Sequence, residues 1–90
     1  MDIGSKFPIS DYYKPHVVDA RTLSRTGNWW SAILLIEDPK NGNQFAGCYK
    51  WQKMADGWKR RSNFNFKSKG DIDLFIENLN ELKQMMADPK

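Results

Sequence analysis

The chain has 90 residues, a net charge of +3, 40% apolar, 28% charged and 13% aromatic residues, and four Trp. That length allows one core and excludes two domains, and no apolar run is long enough to span a bilayer. Met1 to Lys6 lacks the basic region and hydrophobic segment of a secretory signal, and the lone Cys48 excludes an internal disulfide, so a reduced thiol and a cytoplasmic setting, nucleoid or nucleus included, are expected.

Residues 1–15 hold Pro8 and Pro15 and no regular apolar period, which predicts an irregular N-terminal arm that packs by Phe7, Tyr12 and Tyr13. Residues 16–90 read as a single sheet-plus-helix domain. A first strand is expected from His16 to Arg25, where Val17, Val18 and Thr22 are β-branched and Thr26-Gly27-Asn28 signals a turn. The second strand, Trp29 to Glu37, is the most hydrophobic run and is apolar at both parities, so both of its faces should be covered. One helix covers only one face, and the missing layer must come from a dimer partner or from the arm. Trp29, Ile33 and Leu35 are the expected dimer-interface residues.

Asp38 to Asn43, with Pro39 and Asn41-Gly42, predicts a hairpin loop. The third strand, Gln44 to Lys53, places Phe45, Gly47, Tyr49, Trp51 and Lys53 on one face. Asp56-Gly57 then turns the chain into a strand beginning at Trp58. Counted by twos, that strand puts Trp58, Ser62, Phe64 and Phe66 on one side and Lys59, Arg61, Asn63, Asn65 and Lys67 on the other, and only Arg60 breaks the alternation. Trp58, Phe64 and Phe66 are assigned to the core, beneath a helix.

The helix follows because the apolar period changes to 3.6, with Ile72, Phe75, Ile76, Leu79, Leu82 and Met86 on one stripe. Ser68 is placed to cap it with Asp71 three positions on, and Pro89 marks its end. The predicted fold is α+β: a four-stranded antiparallel meander sheet with one C-terminal amphipathic helix packed on it, dimeric.

Charge is segregated along the chain. Between residues 44 and 69 stand Lys50, Lys53, Lys59, Arg60, Arg61, Lys67 and Lys69 against Asp56 alone, whereas Asp71, Asp73, Glu77, Glu81 and Asp88 outnumber Lys83 and Lys90 after them. A basic sheet face with aromatic neighbours suits single-stranded nucleic acid, whose bases stack on rings while cations follow the phosphates. The expected binding residues are Lys53, Lys59, Arg61, Lys67, Trp51, Tyr49, Asn63 and Asn65. Against this, rings at period two such as Phe45, Tyr49 and Trp51 are more often core than platform, and exposed strands carry Lys merely to deter edge pairing.

Tyr49-x-Trp51 at the end of the third strand, a short turn, and a Lys/Arg-rich fourth strand leading into the helix resemble the positive-cofactor-four type of transcriptional coactivator and its bacterial relatives. The resemblance covers residues 16–87 in layout and, more distantly, extends to the Whirly proteins. Such proteins are homodimers whose curved sheets bind single-stranded DNA, and the resemblance implies the same role for Trp51, Lys59 and Arg61, and DNA rather than RNA, in transcription, replication or recombination. No phosphate-binding glycine loop or metal-ligand cluster is visible and His16 stands alone, so no enzyme, catalytic residue, cofactor, metal, small-molecule substrate or membrane partner is expected. The rival reading is a protein-interaction module, for example a phage or mobile-element inhibitor, that binds a partner protein through the apolar second strand and the basic face.

Overall fold

A computed structural model describes residues 3–89; Met1 and Asp2 of the expected arm, and Lys90 of the expected domain, lie outside them. Four antiparallel strands, β1 (Val17–Thr26), β2 (Trp29–Glu37), β3 (Gln44–Met54) and β4 (Gly57–Phe66), pair in chain order, and helix α1 (Lys69–Met85) follows. The meander arises because each connection is short and supplies the turn chemistry of a hairpin. Gly27 and Gly42 in the first two connections, and Gly57 at the start of β4, sit at positive φ, where a Cβ would be strained.

Register gives the sheet two unlike faces. On one, Trp30, Ala32, Leu34 and Ile36 of β2 lie opposite Trp51, Tyr49, Gly47 and Phe45 of β3. All of β2's contribution here is buried, as are Tyr49 and Trp51. The N-terminal arm is the layer that covers this face. Its two short 3₁₀ turns, Ile3–Lys6 and Lys14–His16, bring Phe7 onto Trp30 and Trp51, with Ile3, Ile9 and Tyr13 packed around the same cluster. Phe7, Trp30, Ala32, Leu34, Ile36, Tyr49 and Trp51 form the core. Of the two candidates for the layer over β2, the arm supplies this one.

The opposite face carries Trp29, Ser31, Ile33 and Leu35 of β2 and Ala46, Cys48, Lys50 and Gln52 of β3. It is not roofed by the helix. Ser68 does cap α1, its hydroxyl accepting a hydrogen bond from the Asp71 amide at 3.1 Å. The helix then leaves the sheet, and it touches β4 through Phe75, which packs edge-on against Phe66 and lies beside Phe64. No residue of α1 is buried. The expected packing of the helix on the sheet is therefore corrected: Leu74, Ile76, Leu79, Leu82, Met85 and Met86 are all exposed.

The core assignment on β4 holds for Phe66 and, in part, for Trp58, but is corrected for Phe64, and Trp58 does not lie beneath the helix. Phe66 is buried, Phe64 is 57% exposed, and Trp58 lies on the arm side of the sheet, edge-on to Trp30. The helix also stops at Met85, ahead of the Pro89 signal.

Candidate nucleic-acid interface

One irregularity decides where the basic residues go. Between Lys50 and Trp51 the β3–β4 register shifts: Lys50 pairs with Ser62, but Trp51 pairs with Arg60, so β4 holds one extra residue. A bulge of one residue exchanges the two faces of a strand on either side of it. The row of Lys59, Arg61, Asn63, Asn65 and Lys67 expected from strict alternation is consequently divided. Arg60, Asn63 and Asn65 pair with Trp51, Tyr49 and Gly47 and share the arm-covered face; Lys59 pairs with Gln52 on the open one. Arg61 is also on the open face, where its Nε donates to Gln52 Oε1 at 2.9 Å and its guanidinium reaches Met54 Sδ at 3.8 Å.

The remaining expected residues are also separated. Trp51 is fully buried and its indole N–H has no partner among the described residues, and Tyr49 stacks on it with centroids 5.4 Å apart and planes 7° from parallel. Both rings belong to the core beneath the arm, which corrects their placement on an exposed stacking platform. Lys53 pairs with Trp58 at the tip of the β3–β4 hairpin. Lys67 follows β4 at the other end of the sheet, near Ile72 of the helix. By register Lys59 and Arg61 share the open face and Asn63 and Asn65 the covered one, yet Tyr49, Lys59, Asn63 and Asn65 line one groove beside the arm.

The open face is zoned along the strands. Toward the hairpin tips it presents Trp29, Ser31, Lys50, Gln52, Lys59, Arg61 and Ser62; toward the helix it presents Ile33, Leu35, Ala46, Cys48, Phe64 and Phe66. In the first zone Trp29 is 41% exposed and the Lys50 ammonium stands 5.0 Å from its ring centroid. A cation held over a ring face is attracted by the ring quadrupole, and both remain open to solvent. Among the described residues the ion pairs are Lys14–Asp11 and Arg21–Asp19, so Lys50, Lys59 and Arg61 stand without a carboxylate partner. Sequence reasoning passed over Lys50 and used Trp29 as an interface residue. The signal was available in the hairpin, because pairing Trp29 with Gln52 puts Lys50 diagonally beside Trp29.

No protein-family model, curated protein or solved structure matches this chain.

Two titrations reflect the surroundings of the site. Burial pushes the Tyr49 phenol above its ordinary value, while the charge of Arg60 pulls it the other way. Desolvation likewise raises the Cys48 thiol in the apolar zone. Among the described residues no group of His, Cys, Asp or Glu is arranged to hold a metal ion, and no helix is long and apolar enough to cross a membrane.

Proposed function

We propose that the protein is a non-enzymatic single-stranded nucleic-acid-binding protein, acting on DNA in the cytoplasm, and that the strand lies across the cationic zone of the open face. The observation that carries this reading is Lys50 beside the exposed ring of Trp29, with Lys59 and Arg61 next to Gln52 on the neighbouring strand. Cations spaced along two paired strands neutralise successive phosphates, and a ring between them offers a stacking surface to any base. A stack is worth about 1 to 3 kcal/mol, so the phosphate contacts provide much of the affinity and make it strongly dependent on salt. The likeness to the positive-cofactor-four type agrees with this reading in the order of its elements but contributes Trp51 only as a core ring.

The same reading includes a homodimer closed by α1. The chain exposes 7068 Å², whereas a compact monomer of 10.5 kDa exposes about 5,400 Å². The excess, about 1,600 Å² per chain, is the scale buried by each subunit of an obligate dimer. Ile33 and Leu35 continue the apolar surface toward the helix, while Trp29 falls at the cationic end, outside it.

Titration of a fluorescent single-stranded oligonucleotide at two salt concentrations tests the proposal. Binding should weaken steeply with salt, and a Lys50/Lys59/Arg61 triple Ala variant should bind at least tenfold more weakly with an unchanged circular dichroism spectrum. Salt-independent binding, or none at low salt, would sink it. A monomer that also ignores nucleic acid would favour the second reading, a protein-interaction module whose exposed helix serves a foreign partner.

A further inference from the structure

On the arm-covered face a groove of about 580 Å³ runs between the N-terminal arm and strands β3 and β4, within the size range of ligand pockets. Tyr13 of the arm and Phe45 form one wall, with rings edge-on at 5.9 Å, and Tyr49, Arg60, Asn63 and Asn65 line the other side. The two asparagines are held in a defined orientation. Asn63 Nδ2 donates both of its hydrogens, to the Cys48 carbonyl at 3.3 Å and to Asn65 Oδ1 at 3.0 Å. Only an amide nitrogen can donate to that carbonyl, so the Asn63 amide cannot be turned over. What remains free is an acceptor, Asn63 Oδ1, next to a donor, Asn65 Nδ2.

Gly47 allows this arrangement. A Cβ at that position would lie 2.7 Å from Tyr49 Cε2 and 3.1 Å from Asn65 Oδ1, so any side chain would push the tyrosine ring and the amide apart. The ring is further fixed by its stacking on Trp51. β4 is an edge strand, and along it Lys59 and Arg60 both line the groove while Arg61 reaches Gln52 on the open side.

An aromatic wall, a donor and an acceptor from the two amides, and the cations of Lys59 and Arg60 match one chemical class. We propose that the groove is a nucleobase site: Asn63 and Asn65 meet the hydrogen-bonding edge of one base, and Arg60 meets the phosphate next to it. The inference rests on the single-strand reading and adds base preference to it. A strand following the three consecutive cations over the β4 edge delivers one nucleotide to the groove.

The test uses two probes so that the two ideas fail separately. First, ¹⁵N-labelled full-length protein is titrated with the four nucleoside monophosphates. The side-chain amide signals of Asn63 and Asn65 should move, most with one base; in Asn65→Leu the remaining Asn63 signal should stay still, and in Arg60→Ala both signals should move less. Second, four homo-oligomers are compared. Wild type should show a spread of about five- to a hundredfold that Asn65→Leu flattens without changing the salt slope. Oligomers that bind without preference while the amide signals stay fixed would overturn the base site and leave the single-strand reading intact. Amide shifts with mononucleotides, in the absence of oligomer binding, would uphold the groove and remove the polymer.

Discussion

Phe7 lies over Trp30 with ring centroids 5.2 Å apart and planes 26° from parallel, and this pair joins the N-terminal arm to the sheet. The same phenyl ring meets Trp51 at 6.1 Å. An arm of irregular backbone thereby acts as the second layer of a domain whose helix stands elsewhere. The indole N–H of Trp30 is satisfied by Thr22 Oγ1 at 3.1 Å, and Arg25 is stacked over the same indole at 4.0 Å, so the ring under Phe7 is held in place from the β1 side.

Phe7→Ala should therefore act as a core truncation although residue 7 belongs to no strand or helix of the sheet domain. Emptying a site of that kind costs about 3 to 5 kcal/mol, a large share of the roughly 5 to 15 kcal/mol that keeps a domain folded. Chemical denaturation is expected to show the midpoint falling with little change in slope. A loss under about 1 kcal/mol, the range of ordinary surface changes, would mean that the arm is not a structural layer.

Tyr49 gives a dependence on pH. Burial raises its phenol above the ordinary value of 10.0, so the unfolded chain releases this proton first as pH rises. Stability from the neutral phenol is thus complete below the ordinary phenol value and declines from there as pH climbs through the raised one. Ultraviolet absorbance titration should show a late tyrosine step that disappears in Tyr49→Phe, and that variant should lose less stability than wild type in the alkaline range. An unchanged titration curve in the variant would contradict the burial argument.

The cap of α1 is a smaller and cleaner test. Ser68 Oγ accepts from the Asp71 amide on an exposed helix end, so Ser68→Ala should cost about 1 kcal/mol and nothing in the sheet core should change. Amide exchange is the suitable readout: protection should fall in the first turn of α1 and hold in β2 and β3. Uniform loss across the chain would show that the helix unfolds together with the sheet.

How far the sequence could be read depended on whether the deciding feature was local. β2 runs from Trp29 to Glu37 as expected, because turns bound a short apolar run on both sides. The meander order and the Ser68 cap were legible for the same reason: each is written within four or five neighbouring residues. The division of the β4 cations was not, since alternation assumes one residue per pleat and a bulge adds one. Arg60, the only residue out of pattern in that stretch, marked the place where the register shifts. The position of the helix was also beyond reach. An amphipathic stripe states that a surface must be covered, but not which surface covers it.

That stripe leads to the last prediction. At about 100° per residue, the apolar side chains from Leu74 round to Ile76 span about 200° of the α1 surface, twice the width of a stripe that faces a single core. Phe75 at the middle meets β4, and Leu79 and Leu82 continue along an apolar groove beside Phe64 and Phe66, yet both remain more than half exposed. Asp73, Glu77 and Glu81 occupy the opposite side. In the proposed homodimer such a helix is shared between its own sheet edge and a second copy, and light scattering should give twice the 10.5 kDa chain mass. Burying one leucine contributes about 1.5 to 3 kcal/mol, and a carboxylate in its place adds a desolvation cost, so Leu79→Asp should weaken association by at least a hundredfold. The monomer should keep its circular dichroism, because residue 79 is already exposed in a single chain, and Glu77→Lys on the polar side should remain dimeric. A wild-type protein that scatters as a monomer at high micromolar concentration would remove the second copy and leave the helix for a foreign partner.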